Sequence, residues 1–221
     1  SLRTNCTIYI VHLNTAEGLS VASEYPGLKV ETCPHYLLLN DEVYEREDGR
    51  MFVASPPLRK PADQAALWQG LQSGEIHTIG SDHCPFCMAD KAENSPFQDI
   101  PNGMGGVETL FPTLLAQFVK RGLDLSLLAK LCSLNAAEIF GIDSQKGSLK
   151  PGRHADLLIV NPDDIRDDWE KELDTILDWN AYMEFPAIFP SMVIRRGQVV
   201  ISGGKVTDSE LGTLLKSSTP E

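Results

Sequence analysis

Apolar residues in this chain gather in short dense runs divided by turn-rich polar stretches. Residues 7–11, 28–32 and 76–79 are strand-like, and the first has no polar alternation, as in a parallel strand covered on both faces. Helical spacing lies between them. One helix is predicted over 16–22, capped by Asn14 or Thr15 and ended by Pro26-Gly27. A second is predicted over 61–73, with Pro61 in its first turn, Gly74 as its stop, and Ala65, Leu67, Trp68 and Leu71 on its inner face. Strand, helix, strand, helix, strand, with a polar cluster after each strand, predicts a parallel α/β sheet. The working residues of such a sheet lie at the carboxyl ends of its strands.

Residues 87–106 form a long Pro/Gly-rich stretch of little periodicity, which in a compact domain is functional or disordered. Packing helices follow at 107–121, 125–134 and 136–140. The pattern then changes. A turn at 147–152, a strand at 154–160 and a hairpin of 192–195 with 198–201 about Arg196-Gly197 are antiparallel signals. Three such strands are too few for a closed sandwich. The expected domains are therefore 1–146, a partial β domain at 147–208, and a polar, mobile tail at 209–221.

Composition narrows the function classes. A net charge of -12 repels phosphate backbones, so nucleic acid is not an expected partner. No apolar run approaches the roughly 20 residues of a membrane span, and Ser1-Leu2-Arg3-Thr4-Asn5 does not open a signal peptide. Five scattered cysteines favour free thiols in a reducing cytoplasm. Cys84-Pro85-Phe86-Cys87 has no second pair to complete a zinc site and no thioredoxin-like helix after it.

The chemistry-bearing residues stand at strand exits. His12 follows the first strand, Cys33-Pro34-His35-Tyr36 the second, and Gly80-Ser81-Asp82-His83-Cys84 the third. Each has a plain structural alternative: Asp82 as a turn cap, His12 as a hydrogen-bonded core histidine. Imidazole and carboxylate together suit a borderline divalent metal such as zinc, but a hydrolytic zinc needs at least three protein ligands.

Tyr9-Ile10-Val11-His12-Leu13, Glu31-Thr32-Cys33-Pro34-His35-Tyr36-Leu37, Ser55-Pro56-Pro57-Leu58-Arg59, Gly80-Ser81-Asp82-His83-Cys84, Ile100-Pro101-Asn102-Gly103 and Lys146-Gly147-Ser148-Leu149-Lys150-Pro151-Gly152 stand in one order. Together with Asn135-Ala136-Ala137-Glu138-Ile139-Phe140-Gly141, Ala155-Asp156-Leu157 and Asp178-Trp179-Asn180-Ala181-Tyr182, they resemble the cyclic amidohydrolases, nearest the D-hydantoinase and dihydropyrimidinase branch. The resemblance implies the C-terminal part of a (β/α)8 barrel plus part of a small β-sandwich. It further implies a two-metal zinc centre with His12 and Asp82 as metal ligands, Asp82 as the catalytic proton shuttle, and Ser55 and Asn102 as substrate-binding positions. The implied partner is a small cyclic amide, in a cytoplasmic homo-oligomer.

Three departures qualify it. No H-x-H pair occurs, no separate strand-context lysine matches the family's metal-bridging residue, and the family's further histidine, from the strand before His12, has no counterpart. The chain is therefore expected to be a C-terminal segment of a longer enzyme, inactive alone, with open sheet edges that favour dimerisation. The alternatives are a non-catalytic scaffold relative, or an allantoinase or dihydroorotase. Phe86, where dihydroorotase-like members tend to place a second histidine, disfavours the last. Roles for His35, His83 and Cys84 are not assigned by the motifs.

Overall fold

Three strand exits pointing one way require a parallel ladder, and the computed structural model, which describes residues 6–207 and 212–217, contains one. Strands β1 (Ile8–Ile10), β2 (Leu28–Thr32) and β3 (Thr78–Ile79) form a sheet in that order, with Ile8 opposite Leu28 and Thr32 opposite Ile79. Both pairings are parallel. The burial expected for residues 7–11 is met only in part: Ile8 is 40% and Val11 43% exposed, while Tyr9 and Ile10 are half-buried. As the outer strand of the sheet, β1 lacks a neighbour on one side among the described residues.

Helix α1 (Ala16–Ser23) is capped by Thr15, whose hydroxyl accepts from the Gly18 N–H at 3.0 Å. Asn14, the other candidate cap, instead donates to the Pro57 carbonyl. Helix α2 (Pro34–Leu38) falls where sequence periodicity showed only an apolar run. Five residues are too few to show a period. Helix α3 (Pro61–Ser73) starts and stops as its sequence predicts, with Gly74 left-handed at φ 82°. Its inner face is Leu67, Trp68, Gly70 and Leu71, whereas Ala65 is exposed. A Cβ at Gly70 would stand 2.6 Å from Leu19, so glycine lets α3 approach α1 closely. The Trp68 indole N–H donates to the Leu37 carbonyl, fixing α2 to α3.

The described residues form two compact units, one made of those up to 110 with 174–184, the other of 111–173 with those from 185. Sequence pattern changes at 147, but compactness divides the chain at 110, so the helices α4 (Leu110–Lys120), α5 (Leu125–Ala129) and α6 (Asn135–Ile139) belong almost wholly to the second unit. A π-helical stretch at Lys130–Leu134 joins α5 to α6, so the two expected helices are one continuous helical run. Strands β4 (Leu157–Ile159), β5 (Met192–Arg195), β6 (Gln198–Ser202) and β7 (Lys205–Val206) form an antiparallel sheet in chain order. Arg196 and Gly197, at φ 50° and 83°, make the expected hairpin turn. The unexpected β7 follows a second such turn at Gly203-Gly204.

In the tail, Arg196 donates to the Thr213 hydroxyl and Gln145 to the Lys216 carbonyl. The mobility expected for the rest of the tail concerns residues outside those described, as does the reading of Ser1 to Asn5. Among the described residues no helix is long and apolar enough to cross a membrane.

Two measurements check this packing. Leu71, fully buried on α3, is expected to lose about 2–5 kcal/mol of stability when cut to alanine, read by urea denaturation; a loss below about 1 kcal/mol would mean that α3 is not packed as described. The five free thiols should separate by reactivity at pH 8 toward a disulfide reagent. Exposed Cys6 and Cys84 react first. Burial with the Glu31 and Asp82 charges raises the buried Cys33, so it should react only after unfolding, while Cys132, half-buried with its thiol pushed up to about 12 by burial, should react more slowly than Cys6 and Cys84.

Candidate active site

The site begins where the parallel strands stop. Beyond β1, the Leu13 N–H donates to the Glu31 carbonyl at 2.8 Å, and beyond β3 the Gly80 N–H donates to the Thr32 carbonyl at 3.0 Å. The Thr32 hydroxyl donates to the Leu13 carbonyl. Below these links the Tyr9 hydroxyl donates to Glu31 Oε2 at 2.6 Å and accepts from the Thr78 hydroxyl at 2.7 Å, so side chains from all three strands interlock. The strand ends are thus held rigidly.

His12 and Asp82 leave these ends in left-handed backbone, at φ 44° and 46°. Among the described residues only Arg196, in a hairpin turn, shares this conformation without being glycine. Each such residue costs about 1–3 kcal/mol and persists where surrounding structure enforces it, commonly at functional sites.

Between them stands His35, in the first turn of α2. It is 2% exposed, and its Nε2 has no hydrogen-bond partner. That nitrogen lies 3.9 Å from Asp82 Oδ2. Burial, and then the charge of His12, push the His35 pKa down to about 3, so its ring is neutral at pH 7. Cys33 Sγ completes a group of three ligand atoms within 4.8 Å of one another. His12 is half-buried and outside that group, and no ion pair or hydrogen bond joins it to Asp82.

Two loops flank the strand ends. Ser55 is exposed on the first, which is held by donors to the Pro56 carbonyl from the Tyr36 hydroxyl and to the Pro57 carbonyl from Asn14. Asn102 is exposed on the second. The Gly103 N–H donates to the Val53 carbonyl at 2.9 Å, joining the two loops. Gly103 has φ 147°, and a Cβ there would stand 2.5 Å from the Cys84 carbonyl oxygen, so only glycine fits.

His83 Nδ1 accepts from the Gly106 and Val107 N–H groups, and the Cys84 N–H donates to the Met104 carbonyl. These two residues therefore fasten the Asp82 segment to the Asn102 loop. Residues 174–184 close over the same unit: Asp178 accepts from the Met88 N–H, and Trp179 packs edge-on to Phe52 at 5.1 Å.

Of the residues that sequence singles out, Asp82 is brought to His35, and the segments of Ser55 and Asn102 are joined. His35 could have been found as a histidine at a strand exit. Tyr36, which holds the first loop, stands in the same strand-exit cluster, whereas Asn14, which also holds it, reads in the sequence only as a helix cap.

Residues 19–206 match the amidohydrolase family. D-phenylhydantoinase of Escherichia coli O1:K1 is 34% identical over 213 residues, covering 92% of this chain and 46% of that protein. Among solved structures, D-hydantoinase (dihydropyrimidinase) from Thermus sp. superposes with a TM-score of 0.88 at 31% identity, over 94% of this chain and 47% of that one. L-hydantoinase (dihydropyrimidinase) from Arthrobacter aurescens gives 0.86 at 29%, over 94% and 47%. The chain spans about half the length of the curated relatives it matches. With the family match extending over most of its length and through both strand-exit segments at His35 and Asp82, the chain belongs to the amidohydrolase family.

Proposed function

We propose that this chain supplies part of the active site of a metal-dependent cyclic amidohydrolase, which opens a hydantoin or 5,6-dihydropyrimidine ring. The observation that carries this reading is the meeting of a buried, neutral, unpartnered His35 Nε2 with the Asp82 carboxylate at parallel strand ends. Similarity to hydantoinases and dihydropyrimidinases supports the substrate class. On this reading β1, β2 and β3 are the last three strands of a (β/α)8 barrel, and the four-stranded sheet is one share of a β-sandwich.

The donors suit a divalent cation such as zinc. A neutral imidazole whose outward nitrogen is buried without a partner is free to ligate, and a carboxylate stands beside it. His12 and Asp82 would hold the metal, with His35 as a further nitrogen donor. A bound zinc ion supplies a more acidic water and polarises the carbonyl to be attacked.

The chain's own residues do the rest. Asp82, with a side chain 36% exposed, takes a proton from the attacking water and delivers it to the ring nitrogen that leaves. Ser55 and Asn102, on two joined loops, hold the cyclic amide by hydrogen bonds largely from their backbones. His35 and Cys33 are sealed from solvent and keep the floor of the site dry. The remaining metal donors, an H-x-H pair and a bridging lysine, lie on this reading in a part of the enzyme that these 221 residues do not include.

Two assays test the reading. In the full-length protein that carries this chain, Asp82→Asn should lower kcat/KM for hydantoin by about 10²–10⁴-fold while circular dichroism stays unchanged. A fall of less than about threefold would remove Asp82 from the chemistry. The 221-residue chain alone, supplied with zinc, should open no hydantoin; measurable loss of ring absorbance would show that the missing donors are not required.

A further inference from the structure

Lys91 lies in the long Pro/Gly-rich loop and is 1% exposed, among the most buried large side chains of the chain. A lysine at that depth normally faces a carboxylate. Here none pairs with it among the described residues. Its Nζ donates instead to three backbone carbonyls, of Met51 at 2.8 Å, Val53 at 3.0 Å and Gly103 at 2.7 Å. An ammonium has three N–H bonds, and all three are used. The Phe86 ring lies 5.9 Å from the same nitrogen, and the Arg50 side chain donates to the Lys91 carbonyl, fixing the backbone that carries it.

Those acceptors are not scattered. Met51 and Val53 lead directly into Ser55, and Gly103 follows Asn102. Val53 also accepts from the Gly103 N–H, so the ammonium sits across the seam between the two loops. Ser55 and Asn102 stay exposed while the residues that anchor their loops are buried. We infer that Lys91 is a positioning residue for substrate: its ammonium clasps the two loops so that Ser55 and Asn102 present their backbones to one cyclic amide. The inference rests on the proposed function for what the loops hold, and on the structure alone for the clasp.

Charge makes the clasp selective in geometry. Carbonyl oxygens from separate segments carry partial negative charge, and no neutral side chain of this length offers three converging donors. Burial pushes the Lys91 pKa down to about 8, which leaves most of the group charged at pH 7.

The test uses Lys91→Met, which keeps an unbranched stem as far as the ε position and removes every donor, and Lys91→Gln, which keeps two neutral donors one bond short of Nζ. In the full-length protein, Lys91→Met should raise KM for hydantoin about tenfold with kcat within about twofold, Lys91→Gln should raise it less, and both should keep the wild-type zinc content. Hydrogen exchange on the same full-length protein should quicken about tenfold or more over residues 53–58 and 100–104 in Lys91→Met, with β1 and β2 unchanged. A lysine that merely stabilises the fold would lower kcat with the folded fraction and leave KM alone. An unchanged KM in both variants, or unchanged local exchange, overturns the inference. If the wild-type protein opens no cyclic amide, the proposed function fails instead, which the exchange comparison does not depend on. If Lys91→Met does not fold, Lys91→Gln alone decides by the same two readouts.

Discussion

A buried ammonium without a carboxylate is tolerated only where each of its N–H bonds finds an acceptor, because desolvating the charge otherwise costs several kcal/mol. Lys91 meets that condition with three carbonyls drawn from two loops, and it thereby dictates where those loops must run. The constraint works in both directions. The loops give the charge a place to be buried, and the charge gives two irregular, Pro- and Gly-rich segments a fixed relation that no strand or helix supplies. The His83 side chain and the Cys84 backbone then bring the Asp82 segment into the same frame.

The strand ends contribute rigidity of another kind. Interlocked Tyr9, Glu31 and Thr78 tie the three parallel strands through side chains, and backbone links continue the ladder past β1 and β3. On that base the chain sustains left-handed backbone at His12 and Asp82, which neither residue would adopt freely. Electrostatics follow from depth. His35 is buried and near a second histidine, so it remains a neutral nitrogen donor, while Asp82 is left with solvent access.

The second unit obeys different rules. Its sheet is antiparallel and built of short strands joined by tight turns, with Asp156 accepting from both Lys146 and the Arg196 N–H to brace the hairpin. Trp169 is buried there, and its indole N–H donates to the Phe185 carbonyl. None of these contacts brings titratable groups together at depth, and the chemistry-bearing residues lie in the first unit.

Much of this was legible in the sequence because it is local. Parallel strands announce themselves by apolar runs, α1 and α3 by their caps and stops, and the Arg196-Gly197 hairpin by its turn residues. The candidates His12 and Asp82 followed from position at strand exits, and the order of motifs pointed to the family that the comparisons show. What tertiary structure alone decided is long-range. Helix α2 is too short to leave a period, and β1 is only half-covered because coverage depends on neighbours rather than on its own residues. The pairing of His35 with Asp82 joins residues from two different strand exits. Lys91 is the extreme case: in sequence it is one charge in a loop, and only the convergence of carbonyls from residues 51, 53 and 103 makes it a buried clasp. A hydrogen bond depends on where acceptors meet in space, and that is written in no window of the chain.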